Sequence, residues 1–281
     1  MLRRSLVLVA ALAAVLAPSS AARPHASAPT RIVSLSPTAT EDLFAVGAGK
    51  QVIAVDNDSD YPKNAPRTSL SGFTPNVEAI AGYNPDLVVI SNDIGGDQES
   101  LQKLGIKVML EPAADNLAQA YDQIRQLGSA TGHTAQAAKV VAGMERTLTK
   151  LLRSVPKAQR DQTVYHELDP TYYSATSSTF IGRLYKLFGF KNIADAADST
   201  HSGYPQLSAE YIVSTSPNIV VLADSVCCGQ NAATVAARPG WSGISAVTHH
   251  RVIAVNDSVA SRWGPRIVDF ARAIAAVARK K

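Results

Sequence analysis

Residues 76–90 read NVEAIAGYNPDLVVI, and residues 208–222 read SAEYIVSTSPNIVVL. Laid over each other at an offset of 132 residues without a gap, they match Glu78 to Glu210, Ile80 to Ile212, Pro85 to Pro217, Val88 to Val220 and Val89 to Val221. Each stretch opens on a residue able to cap a helix, Asn76 or Ser208, and closes on an apolar run that suits a buried strand. Neighbouring segments repeat in the same order: GIKVML at 105–110 has a counterpart in HRVIAV at 250–255, and TEDLFAVG at 40–47 in FIGRLYKLFG at 180–189. The chain therefore reads as two related halves.

Upstream of the first repeat, residues 31–55 (RIVSLSPTATEDLFAVGAGKQVIAV) place short buried strands at 32–35 and 52–55, around a helix entered at Thr38 or Thr40. Downstream, DQESLQKLGIKVML at 97–110 is another short helix feeding an apolar run. Alternation of this kind predicts a parallel α/β sheet covered on both faces. Between the halves, residues 116–155 contain no proline and are rich in helix formers, with Gly128 and Gly132 as the expected divide between two helices. In the second of these, Ala137, Val141, Met144, Leu148, Leu151 and Val155 form one apolar stripe. A helix of about 22 residues spans roughly 33 Å, enough to cross a small domain. An amphipathic helix from about residue 265 to 278, with a proline in its first turn, closes the chain. The expected fold is α/β, with two pseudo-symmetric lobes built on central parallel sheets and joined by a long backbone helix. The N-terminal lobe is placed at 29–116, the helical connection at 117–157 and the C-terminal lobe at 158–281.

Length and composition agree with two such lobes: 281 residues, 46% hydrophobic and 18% charged, exclude disordered and fibrous classes. Residues 1–28 stand apart, because Arg3 and Arg4 precede a 12-residue apolar stretch and small residues follow it. That pattern is a secretory signal peptide, cleaved after Ala22 or after Ala28, and its apolar core is shorter than the roughly 20 residues of a membrane span. Removing 1–28 leaves 24 basic against 23 acidic side chains, so no concentrated basic face points to nucleic acid. With Cys227 and Cys228 as the only cysteines, no thiol near the cleavage site can carry a lipid anchor. A periplasmic location is the expectation, or an extracellular one in a cell without an outer membrane.

Taken together, RIVSLSPTATE, SDYP at 59–62, NVEAIAGYNPDLVV, LGIKV, YPQLSAEYIVSTSPNIVV and SRWGPRIVDF at 261–270 resemble the cobalamin and iron-siderophore substrate-binding proteins of ABC importers, a helical-backbone receptor family. The resemblance spans nearly all of the chain after residue 28. It implies a monomer that holds a metal chelate between two lobes and docks onto a membrane permease with its ATPase. It also implies ligand-lining roles for Tyr61, Phe73, Tyr173 and Tyr204, whose aromatic faces suit a flat chelate, and for Asp257, Arg262 and Trp263 in the loop NDSVASRWGPR. Arg262 can hydrogen-bond ligand oxygens, or instead form an exposed ion pair with Asp257. Glu78 and Glu210 take the permease-docking role, and a carboxylate in a first helical turn also complements the helix dipole. At two lining positions where cobalamin-binding members carry tryptophan, this chain has Phe73, or its neighbour Gly72, and Tyr204. The bridge between distant cysteines of those members has no counterpart here.

Other chemistries are expected to be absent. His133, His166, His201, His249 and His250 all lie outside 29–116, which disfavours a metal cage spanning two lobes, and His249 with His250 reads as an exposed turn. Adjacent Cys227 and Cys228 either close a vicinal disulfide or remain two free thiols. No GxSxG, HExxH, CxxC or phosphate-loop motif occurs. The alternative to a receptor is an exported hydrolase or glycosidase, for which Glu167 and Asp169, two apart on one face of a strand, are the paired acids to consider. The reading adopted is a binding protein with no catalytic residue, no cofactor and no resident metal.

Overall fold

The computed structural model describes residues 27–280, so the signal-peptide reading of 1–28 lies almost wholly outside the described residues. The first half runs β1 (Ile32–Leu35), α1 (Pro37–Ala45), β2 (Val52–Val55), α2 (Val77–Ala81), β3 (Leu87–Ile90), α3 (Asp97–Lys103) and β4 (Lys107–Leu110). Two long helices follow, α4 (Leu117–Ala130) and α5 (Thr134–Ser154). The second half contains β5 (Thr163–Glu167), α6 (Phe180–Leu187), β6 (Lys191–Asn192), α7 (Ala209–Thr215), β7 (Ile219–Leu222), α8 (Ala232–Ala236), α9 (Ser245–Thr248) and β8 (Val252–Ala254). Two further helices, α10 (Asp257–Ser261) and α11 (Ile267–Ala278), complete it.

Each half forms its own four-stranded parallel sheet, ordered β2-β1-β3-β4 and β6-β5-β7-β8. The repeat extends into the pairing register: Leu35 lies opposite Ile90, and Glu167, at the same 132-residue offset, opposite Leu222. In both sheets the strand order reverses between the first and third strands, β1 and β3 or β5 and β7. A crevice opens at such a switch point, beyond the carboxyl ends of the strands.

Strand residues alternate between two cores. Ile32, Val52, Val89, Val164, Ile219 and Val221 face a continuous cluster that also takes in α4, α5 and α11. Their neighbours Val33, Leu35, Val88 and Ile90 build a separate cluster with Ile80 and Leu101, and Tyr165, Val220 and Leu222 another with Ile212 and Trp241. Ala137, Val141, Met144 and Leu148 of α5 are all buried in the shared cluster, and Leu151 packs against its edge. Fully burying one such aliphatic side chain stabilises by about 1.5–3 kcal/mol, which explains why the stripe fixes α5 against both sheets.

The structure corrects several local expectations. Helix α1 starts at Pro37 rather than at Thr38 or Thr40, because the Ser36 hydroxyl accepts the Ala39 amide and proline tolerates the first helical position. Gly128 sits inside α4 instead of ending it, and the divide comes at Gly132, whose φ of +81° suits glycine. Strand β4 is an edge strand with Lys107 and Leu110 exposed. The last helix begins at Ile267, since Pro265 lies in the turn before it.

Candidate functional site

A cavity of about 390 Å³ opens at the carboxyl ends of the first sheet. Ser36 follows β1, Asp56 follows β2 and Ser91 follows β3, while Phe73 extends from the loop between β2 and α2. The opposite wall comes from Arg262 and Trp263, which follow α10. Phe73 is 77% exposed, so its ring is available to a ligand rather than used in the core. Trp263 is half-buried, and its indole N–H donates to Gln123 Oε1 of α4 at 2.8 Å, with Gln123 in turn donating to the Pro112 carbonyl at 2.7 Å. The indole is thus held by a polar tether at one edge.

Gly72 is required beneath Phe73. A Cβ there would stand 2.7 Å from the Leu35 carbonyl oxygen and 2.9 Å from Asp56 Oδ2, closer than side-chain carbons approach. Asp56 is 1% exposed: Oδ1 accepts the amides of Asp58 and Ser59 at 3.1 and 2.7 Å, and Oδ2 has no hydrogen-bond partner among the described residues. Burial raises its pKa against those bonds.

Arg262 is a clamp across the molecule. Nη1 lies 2.9 Å from Glu41 Oε1 and 2.7 Å from Asp60 Oδ1, and Nη2 donates to the Asp58 carbonyl at 2.8 Å. Arg266 donates to Glu41 Oε2 at 2.8 Å, so a single buried carboxylate on α1 holds two guanidiniums. Burial works against the Asp60 carboxylate, yet its bond to Arg262 and the charges of both arginines hold its pKa below the ordinary range. The exposed Arg262–Asp257 pair considered from sequence does not form. Asp257 instead accepts the amides of Val226 and Cys227 at 3.0 and 2.8 Å.

The structure brings Phe73, Arg262 and Trp263 together and separates Tyr61 from them. Tyr61 lies in a neighbouring depression with Phe44, and the Arg266 guanidinium covers its ring at 4.2 Å. Tyr173 and Tyr204 belong to the second half, on chain segments joined where Tyr173 pairs with Gln206 and the Ser174 amide donates to the Pro205 carbonyl at 3.0 Å. Their side chains are 41% and 48% exposed. Glu78 and Glu210 are exposed in the first turns of α2 and α7, where Asn76 and Ser208 accept the amides of Ala79 and Tyr211 at 2.8 and 3.1 Å. Cys227 and Cys228 are joined by a disulfide.

Glu41, Asp56, Asp60, Gln123 and Arg266 were missed from sequence. Adjacent acids within the apolar helix TEDLF were the available signal, since burying Glu41 and Asp42 demands compensation.

The acids considered for hydrolysis do not form a pair. Glu167 is fully buried in a two-pronged bond with Arg238, 2.6 Å at each oxygen, and that guanidinium also lies 4.6 Å from the Trp241 ring centre. Asp169 is past the end of β5 and accepts the Thr171 amide at 2.7 Å. Asp224, fully buried beside Glu167, has its pKa pushed up to about 7 by burial and by the Glu167 charge. His166 is buried, with Nδ1 2.7 Å from the Tyr185 hydroxyl, and burial drives its pKa down to about 3. His249 and His250 are exposed. Among the described residues no group of three or more His, Cys, Asp or Glu side chains is placed to hold a metal, and no helix is long and apolar enough to cross a membrane.

Comparison with known proteins agrees with this architecture. Residues 32–259 match the family described as periplasmic binding protein. A cobalamin-binding protein of Halobacterium salinarum is 34% identical over 254 residues, covering 86% of this chain and 68% of the relative. An uncharacterized ABC transporter substrate-binding lipoprotein, YvrC of Bacillus subtilis, is 32% identical over 250 residues, covering 86% and 77%. Among solved structures, a possible iron-binding, periplasmic solute-binding protein from Staphylococcus epidermidis superposes with a TM-score of 0.75 at 27% identity, over 90% of this chain and 99% of that one. Two parallel sheets, a cavity walled from both halves and a match over most of the length lead to one assignment: the chain belongs to the periplasmic binding protein family.

Proposed function

We propose that this protein captures a large metal chelate, a corrinoid or a ferric chelate, between its two halves and delivers it to an ABC permease and its ATPase. The observation that carries this reading is the cavity closed by Phe73 from one side and by Arg262 and Trp263 from the other. Its volume of about 390 Å³ is at the small end of ligand sites, so a chelate larger than the cavity would rest partly on the exposed ring of Phe73. The names of the Halobacterium and Staphylococcus relatives, cobalamin-binding and possible iron-binding, support the chelate class. Hydrolysis is disfavoured because Glu167 is neutralised in a buried ion pair and Asp169 points to its own turn. On this reading residues 1–28 are removed on export and the mature protein works outside the cytoplasmic membrane.

The test is a fluorescence titration of residues 29–281 with cyanocobalamin, ferrichrome and haemin, corrected for absorption by the ligands. Saturable one-to-one quenching of Trp263, lost in Trp263→Phe, is expected with one class of chelate. Cyanocobalamin alone would make the protein a corrinoid receptor, and a ferric ligand alone an iron-uptake receptor. No response to any of the three would remove the chelate reading.

A further inference from the structure

Cys227 and Cys228, the chain's only cysteines, close their disulfide on an exposed loop directly after β7. At the 132-residue offset this loop corresponds to the one after β3, whose Ser91 lines the cavity. The loop is tied down through backbone amides: Val226 and Cys227 donate to the two oxygens of Asp257 at 3.0 and 2.8 Å, and Cys228 donates to the Asp224 carbonyl at 3.2 Å. Asp257 is the first residue of α10, and the hydroxyl of the next residue, Ser258, lies 3.4 Å from Asp60 Oδ2 in the first half. The other oxygen of Asp60 holds Arg262, immediately beyond the end of α10. Disulfide, acid, five-residue helix and clamp are thus consecutive links between the cysteine pair and the cavity wall.

We propose that Cys227–Cys228 is a thiol–disulfide exchange site for an exported dithiol, and that its state sets how firmly Arg262 and Trp263 are held against the first half. The step balances as ordinary exchange. A thiolate of the dithiol attacks one sulfur and releases the other cysteine, which takes a proton. The second thiol of the partner then displaces the first cysteine, so the protein gains two electrons and two protons and the partner leaves as a disulfide. Opening the ring frees the torsions of the 227–228 link and so releases the Cys227 amide from its fixed place on Asp257. Without those oriented donors α10 loses its anchor, and the cavity wall at its far end loosens.

The inference rests on the proposed binding reading only for its effect on affinity. Its structural half is tested by hydrogen–deuterium exchange on the intact protein, oxidised and after treatment with dithiothreitol, in peptides covering 224–231 and 256–263. Reduction is expected to speed exchange in both peptides by roughly threefold or more. The Cys227→Ser, Cys228→Ser double variant should exchange rapidly in both and ignore dithiothreitol. Asp257→Ala should exchange rapidly at 256–263 whatever the state of the cysteines. Acceleration confined to 224–231 would overturn the proposal, as would a response to dithiothreitol in the double serine variant. For whichever of cyanocobalamin and haemin binds, the dissociation constant should weaken several-fold on reduction, and an unchanged constant would overturn the link to affinity. If neither binds, the chelate reading fails while exchange at 256–263 still decides this one.

Discussion

Arg262 Nη1 lies 2.9 Å from Glu41 Oε1 although 221 residues separate the two in the chain. Glu41 is 3% exposed and also carries Arg266, so one carboxylate on α1 fastens the segment after α10 to the first half. A buried charge is tolerated only while its partners remain.

Glu41→Gln should therefore be severely destabilising, because it strands two largely buried guanidiniums with Asp60 as their one remaining carboxylate. A loss of about 3 kcal/mol is expected, seen in calorimetry as a melting temperature lower by roughly 5–10 °C. A loss below about 1 kcal/mol would mean that water screens the clamp. For the same reason Arg262→Ala should lower stability together with ligand affinity, whereas the sequence alone offered a ligand contact or an exposed pair with Asp257, neither of which matters to folding.

Glu78 and Glu210 stand exposed at matching places on the two halves, each in the first turn of its helix. If they take the docking role proposed for them, replacing both by alanine should abolish permease-dependent uptake while the purified protein keeps its ligand affinity, since neither lines the cavity. Each substitution should cost at most about 1 kcal/mol of helix-dipole stabilisation. Weakened ligand binding in the double variant would count against the docking role.

Glu111, 4% exposed, has Oε1 without a hydrogen-bond partner among the described residues, and burial pushes its pKa from 4.5 up to about 7. Nearby Asp42 is raised as well, by burial first and then by the charges of Glu41 and Glu111. The folded protein thus holds a proton that the unfolded chain releases. Glu111's contribution is fully present below pH 4.5, falls as pH rises towards 7 and levels off above that, a change of up to about 3 kcal/mol. Glu111→Gln should flatten the decline in denaturation free energy between pH 5 and pH 8. Parallel pH profiles for variant and parent would show that Glu111 ionises freely.

The fold was legible because its signals are local and periodic. Apolar runs at 87–90 and 219–222, each preceded by a capped helix, specify the same strand twice, and the stripe from Ala137 to Leu148 needed only its spacing to be recognised. The site was legible in part. Arg262 and Trp263 drew attention through their motif, but nothing near them in sequence names Glu41, Asp60 or Gln123 as their partners. Those contacts depend on how α1, α4 and the segment after α10 converge, which is a property of packing. Tyr61 shows the opposite error: its SDYP motif places it beside the site, yet the Arg266 guanidinium occupies its ring.

One wall of the cavity is built from a segment that leaves the ribosome long after the sheet it faces is complete. Strand β4 ends at Leu110, whereas Arg262, Trp263 and the core residues Phe270 and Ile274 of α11 come from 257–278. A chain made from its N-terminus thus has no complete cavity until residues 262 and 263 have been added. A chain that stops before residue 262 therefore keeps the first sheet and its loops but lacks the far wall of the cavity.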